Sequence, residues 1–249
     1  MSNLDEIFAE FDAPEVRTIG NVTYHNDLVQ GSEAWLQARI GLLTASEMKL
    51  ILTPTLKVAN NKDTRTHLYE LLAQRITGYV EPFYVNDDML RGHADEVDAR
   101  ILYSEKLAPV QDCGFITNSK WGFTIGYSPD GLVGDDGLIE CKSRRQKYQV
   151  QTILESVTAD EAPAEYMLQL QTGLLVSERK WIDFISYSGG LPMAVIRVHP
   201  DPVMQEAIID AATEFELQMQ TKRADYEGAL VSTARLFPTE RKEYEDIIA

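Results

Sequence analysis

The sequence predicts an α/β protein, with a mixed β-sheet at its centre and helices on either side of it in the chain. Two observations carry the prediction. Apolar residues recur at helical spacing up to about residue 107, and again over 163–176 and 201–228. Between these stretches the pattern changes to aromatic and β-branched residues in partial alternation, broken by glycine-containing turns.

The elements follow in order. Residues 32–39, "SEAWLQAR", read as a short helix capped by Ser32 and closed by Gly41. "TASEMKLIL", 44–52, opens a second helix, with Thr44 or Ser46 as its cap. Residues 63–78 place Leu68, Leu71, Leu72 and Ile76 on one stripe, and 87–107 place Leu90, Val97, Ile101 and Leu102 on another. Both are expected to be amphipathic helices. "PVQDCGFITNS" and "WGFTIGYS" form a hairpin joined near Asn118–Lys120, and "GLVGDDGLIECK" forms a second. A helix over 163–176 follows, with Pro163 suited to its first turn. Two further strands, "KWIDFISYS" and "MAVIRVH", meet at the Gly189-Gly190 turn. A long helix over 201–228 and a short one over 239–247 complete the chain. No internal repeat or linker interrupts it. The expected organisation is one domain: an extension over 1–29, a core over 30–200 and an acidic helical part over 201–249.

Charge narrows the function. The 249 residues carry a net charge of −16, which excludes a protein that coats nucleic acid generally. The excess lies at the ends, since residues 34–200 hold 21 acids against 17 bases. A local cationic site is compatible with that. Two cysteines, Cys113 and Cys141, make neither a disulfide framework nor a zinc site, and no apolar run approaches membrane-spanning length. The acidic start "MSNLDEIFAEFD" lacks the features of a signal peptide, so a cytoplasmic location is expected.

Glu-x-Lys occurs four times, at Glu47–Lys49, Glu140–Lys142, Glu178–Lys180 and Glu240–Lys242. Residues i and i+2 share a face in a strand and diverge on a helix. Only Glu140–Lys142 falls in a clear strand, "LIECK"; the first and last pairs fall in helical patterns and read as solvated charges. Asp130, in "SPDG", lies ten residues before Glu140 at the end of the facing strand. With a two-residue turn at Asp135-Asp136 it would oppose Cys141 and face away. An odd loop or a bulge, hosted by Gly131 or Gly134, would set it beside Glu140. The catalytic reading therefore requires an irregular hairpin. The alternative is a charged surface hairpin in which Lys142 only pairs with an acid. Two hard carboxylates beside a lysine suit Mg²⁺, or Mn²⁺ in its place, with the Cys141 main-chain carbonyl as a further ligand and its thiol turned away. Lys142 would orient or deprotonate a water, and Arg144, Arg145 and Lys147 would grip phosphate.

Four ordered blocks, "QGSEAWLQARIGLLTAS" (30–46), "RGHADEVDARILY" (91–103), "SPDGL…GLIECK" (128–142) and "YMLQLQTGLLV" (166–176), resemble the phage lambda exonuclease and YqaJ-type viral recombinase family of the PD-(D/E)xK nuclease superfamily. The resemblance implies a restriction-endonuclease-like core and a metal site of Asp130 and Glu140, completed by Glu96 directly or through water, with Lys142 activating the water. By the same resemblance Arg39 and Ser46 hold a 5′-terminal phosphate and Gln169 lies near the scissile phosphate; Gln171, two residues on, faces elsewhere. After "ECK" the chain continues "SRRQK" where some relatives have a proline, and beyond Ser186 the match fades. The implied activity is Mg²⁺-dependent 5′→3′ degradation of one strand at double-stranded DNA ends, leaving a 3′ single strand for a phage annealing protein. The family also implies a ring-shaped homo-oligomer, often a trimer. The competing readings are an endonuclease or a RecB- or Cas4-like repair nuclease, and a non-catalytic acidic protein that binds a host nuclease.

Overall fold

A computed structural model of the protein describes residues 16–81, 87–232 and 235–241. The strands divide between two mixed sheets. The first has five strands in the order β1-β2-β4-β5-β3: β1 (Val16–Ile19), β2 (Val22–His25), β3 (Leu43–Thr44), β4 (Phe115–Asn118) and β5 (Ile125–Tyr127). The second has four, in the order β6-β7-β8-β9: β6 (Gly131–Val133), β7 (Gly137–Ser143), β8 (Trp181–Tyr187) and β9 (Ala194–Val198). The break falls at Ser128-Pro129-Asp130, where the proline has no N–H to continue a ladder.

Seven helical segments accompany them among the described residues: α1 (Glu33–Ala38), a 3₁₀ helix (Ala45–Leu50), α2 (Lys62–Thr77), α3 (Asp87–Lys106), α4 (Gln146–Gln151) running into a π-helical stretch (Thr152–Val157), α5 (Ala164–Ser177) and α6 (Pro202–Ser232). The expected helix over 44–52 is thus a two-residue strand followed by a 3₁₀ helix. Thr44 there takes a strand position beside β5 and at the same time caps the helix. Pro163 stands one residue before α5, at its cap position. The expected helix over 239–247 reaches into 242–249, outside the described residues; Glu240 lies in an irregular segment.

The main core joins both sheets to α2, α5 and α6, with Phe184, Leu138, Ile116, Leu174 and Leu71 among its members. A smaller core, built from Ala99 and Tyr103 of α3 with Val133, Ile139, Cys141 and Ile185, seals the opposite face of β7. On α2 Leu68, Leu71 and Leu72 of the predicted stripe are buried and Ile76 is partly buried. On α3 Leu90, Val97 and Ile101 of the expected stripe are exposed, against expectation, and Leu102 is half-buried. The inward face of α3 is built from Ala99 and Tyr103, which meet Ile139 and Cys141 on the apolar face of β7, and Asp95 and Glu96 are half-buried.

Candidate active site

The hairpin β6–β7 pairs Val133 with Gly137, Leu132 with Leu138 and Gly131 with Ile139. Its loop, Gly134-Asp135-Asp136, has three residues, and Gly134 adopts the left-handed conformation (φ +53°) open to glycine. Of the two glycines named from sequence, Gly134 breaks the two-residue pattern. Continuing the register one step sets Asp130 across from Glu140, so both carboxylates leave the same face. Asp130 Oδ2 accepts the Cys141 N–H at 2.5 Å. The Cys141 thiol points the other way, into the smaller core.

Glu140 is the hub of the cluster. Its Oε1 accepts from Lys142 Nζ at 2.7 Å and from Gln169 Nε2 at 2.5 Å, and its Oε2 accepts from the Tyr127 hydroxyl at 2.8 Å. The charges are strongly coupled. Burial pushes the Asp130 carboxyl well above its ordinary value, and the nearby Glu140 and Glu96 push it further. Burial also raises Glu96, which Arg100 pulls down and Glu140 pushes up. Burial alone would lower Lys142, but Glu140 and Asp130 outweigh it and hold the ammonium above its ordinary value. Lys142 is therefore a fixed cation and a hydrogen-bond donor.

Among the described residues no three His, Cys, Asp or Glu side chains stand in a ready-made metal cage. The donor chemistry nevertheless fits a hard divalent cation. Two buried carboxylates, Asp130 and Glu140, face one another beside the half-buried Glu96, and Glu140 and Glu96 raise the cost of ionising Asp130, a penalty that such a cation relieves.

A cleft of about 730 Å³ opens above this cluster. Lys142 and Gln169 line it, together with Ser46, Arg144 and Arg145. Lys49, Arg91, Tyr148 and Tyr166 line it as well, and sequence reasoning had not singled these out. Five cations thus face a cleft whose lining includes one acid, Glu165, in a chain with net charge −16. Arg144 is fixed by Glu165 at 2.5 Å and lies over the rings of Tyr148 and Tyr166. Lys147 is exposed, over the Tyr148 ring and outside the cleft lining.

Arg39 borders an adjoining cavity of about 220 Å³. It stacks 4.2 Å from the centre of the Trp35 ring and donates to Ser128 Oγ at 3.2 Å and to Thr44 Oγ1 at 3.4 Å. Thr44 Oγ1 lies 3.4 Å from Ser46 Oγ, which connects Arg39 to the main cleft. Burial pulls the Arg39 guanidinium below its ordinary value, and Glu47 pulls it back up.

Of Glu47 and Lys49, read from sequence as solvated charges, Lys49 is exposed as expected, and Glu47 departs from that reading. Glu47 accepts the Thr44 N–H and hydroxyl in a capping box, and Lys49 stands in the cleft wall. Gln171 faces away from the cluster, joining His199 O and Asp201 N at 2.8 Å each. Tyr127, the remaining group on Glu140, was not found from sequence. It lies among strand aromatics, and only the fold shows that its hydroxyl is spent on a carboxylate.

The model of the YqaJ-like viral recombinase domain matches residues 34–180, well over half of the chain. Among solved structures, the chain is similar to an alkaline exonuclease, LHK-Exo, from Laribacter hongkongensis: 29% identity over 80% of this chain and 98% of that one, with a TM-score of 0.70. The same exonuclease in complex with dAMP aligns at 30% identity over 80% of this chain and 98% of that one, again with a TM-score of 0.70. A phage-related exonuclease from Haemophilus somnus 129PT, at 14% identity over 73% of this chain and 96% of that one with a TM-score of 0.50, shares the fold. No curated protein sequence matches significantly. Four ordered sequence blocks, a shared fold and the matched domain lead to one conclusion: the chain belongs to the YqaJ-like viral recombinase family.

Proposed function

We propose that the protein is a Mg²⁺-dependent 5′→3′ exonuclease that degrades one strand of linear duplex DNA from its end. It releases 5′-mononucleotides and leaves a 3′ single strand for an annealing protein in phage recombination. The observation that carries this reading is the same-face pair Asp130–Glu140, with Lys142 donating to Glu140, beneath a cationic cleft in an acidic chain. Each cut places a water oxygen on phosphorus and breaks the bond to the 3′ oxygen of the terminal nucleotide. A new 5′-phosphate end results. LHK-Exo binds dAMP, which has the chemistry of the released product.

Asp130, Glu140, Glu96 and the Cys141 carbonyl would hold Mg²⁺, or Mn²⁺ in its place. The ion supplies Lewis-acid stabilisation of charge on the phosphoryl oxygens. Lys142, held as a cation by Glu140, orients the attacking water through Nζ. Gln169, on the same carboxylate oxygen, fixes its direction and faces the scissile phosphate from α5. Arg39 and Ser46 take the terminal 5′-phosphate, a task suited to a guanidinium whose plane is set by Trp35. Arg144, Arg145 and Lys147 bind phosphates further along the strand. The exposed stripe Leu90, Val97 and Ile101 on α3 supports assembly into a homo-oligomer, in which a ring-shaped trimer would cover it. Among the described residues no helix is long and apolar enough to cross a membrane.

The test is digestion of linear duplexes with 5′-phosphate or 5′-hydroxyl ends, and of closed circles, in Mg²⁺ and in EDTA. Linear substrates are expected to be shortened only in Mg²⁺, with mononucleotides as product and 5′-phosphate ends preferred. Cutting of closed circles, or activity persisting in Glu140→Ala, overturns the reading. Light scattering on the purified chain measures the oligomer.

A further inference from the structure

We infer that the C-terminal helix positions Arg39 through Glu216 and Arg75, which makes these two residues positioning residues for the terminal 5′-phosphate. The inference rests on the reading of Arg39 as the phosphate anchor. Helix α1 has little support of its own. This helix has six residues, none of them buried, and a helix so short has no rigidity of its own. Arg39 is its C-terminal cap, so the backbone that delivers the guanidinium to Trp35, Ser128 and Thr44 depends on what holds the following turn.

That turn is clamped by consecutive residues of α2. Gln74 Oε1 accepts the Gly41 N–H at 2.9 Å, and Arg75 Nε donates to Gly41 O at 2.7 Å. The turn closes on Arg39 itself, whose carbonyl accepts the Leu42 N–H at 3.0 Å. Gly41 has φ +64°, and a Cβ there would stand 2.4 Å from Arg75 Cγ, so the arginine side chain lies directly against a position without one.

Arg75 is in turn fixed from α6. Its Nη1 and Nη2 meet Glu216 Oε2 and Oε1 at 2.7 and 2.5 Å, a bidentate pair in which the glutamate side chain is 6% exposed. A largely buried pair, here a buried glutamate with a half-buried arginine, seldom stabilises a fold more than apolar side chains of similar volume would. Its geometric effect is definite: it fixes the plane of the guanidinium whose third nitrogen holds Gly41. Glu216 lies beyond residues 34–180, so this part of the phosphate site comes from outside the matched domain.

The experiment compares initial digestion rates of linear duplex ends carrying 5′-phosphate or 5′-hydroxyl, in the full chain. R75M/E216L removes both ions and keeps the volume filled. It is expected to fold, to digest 5′-hydroxyl ends at the wild-type rate and to keep the same half-saturating Mg²⁺. Its preference for 5′-phosphate is expected to fall about tenfold, the size of effect that follows from misplacing one charge-assisted bond, and to match that of R39A. Should R75M/E216L not fold, Gln74→Leu removes only the acceptor for the Gly41 N–H and is expected to lower the same ratio. A folded R75M/E216L, or in its place Q74L, that keeps its preference while R39A loses it overturns the inference and leaves the anchor standing. An unchanged preference in R39A removes the anchor and the inference together.

Discussion

Asp130 is a residue whose stability cost and proposed use conflict. Its carboxyl is raised by burial and by Glu140 and Glu96, so its ionised form is the disfavoured one in the folded protein. A group raised on folding stabilises most when it is protonated, and that contribution is lost as the pH climbs through the raised value. In EDTA the protein is therefore expected to melt at a lower temperature at pH 8 than at about pH 5. Asp130→Asn keeps an oxygen for the Cys141 N–H and removes the charge. It should flatten this pH dependence and raise the EDTA melting temperature at pH 8 by about 2–4 °C, the shift that ~1 kcal/mol produces in a chain of this length. The same variant should abolish digestion and the thermal shift given by added Mg²⁺. Lys49 offers a contrasting test, because it lines the cleft without touching the carboxylates. Lys49→Ala should weaken duplex binding and reduce the slope of log affinity against log salt by about one, with turnover at saturating DNA unchanged.

At the scale of elements, α5 controls both oxygens of Glu140. Gln169 reaches Oε1 directly. One turn later Gly173 lies against the ring of Tyr127, whose hydroxyl holds Oε2; a Cβ on Gly173 would come within 2.8 Å of that ring. Gly173→Ala should therefore displace Tyr127 and lower the digestion rate at least tenfold. Tyr127→Phe should do the same without the steric strain, and the double variant should lose less than the two losses combined, because both act on one contact. The same elements show what the sequence could and could not reveal. Glu140 and Lys142 were legible because a strand repeats every two residues, and Asp130 because a loop of odd length is the only regular way to bring it to them. The strands β1 and β2 went unread although Gly20-Asn21 marks their turn, since neither strand is long or strongly apolar. In α3 the periodicity points the wrong way, with Val97 and Ile101 exposed; in α4 and the π-helical stretch after it Val150 and Leu154 are likewise exposed, while α4 buries Gln149, whose Nε2 donates to the Ser186 and Pro192 carbonyls. An apolar stripe predicts burial only when the helix turns that stripe inward, and α3 turns Ala99 and Tyr103 instead toward Ile139, Cys141 and Ile185.

At the scale of the whole molecule, the C-terminal helix belongs to the main core. Ile208, Ala211, Ala212, Phe215 and Met219 are fully or almost fully buried there. Truncation after Asp201 is expected to leave no cooperative unfolding transition by circular dichroism, because it strips that face from α2 and α5 and leaves Arg75 without its partner. Charge is the other property of the whole. The cleft carries five cations, while the molecule around it repels polyanions. Added salt then acts in two opposed ways on a duplex end: it lifts the repulsion that slows approach from most directions, and it loosens the phosphate contacts once the end has entered. The rate of digestion at low DNA concentration should therefore pass through a maximum at intermediate ionic strength. A uniformly basic nuclease would show only the decline.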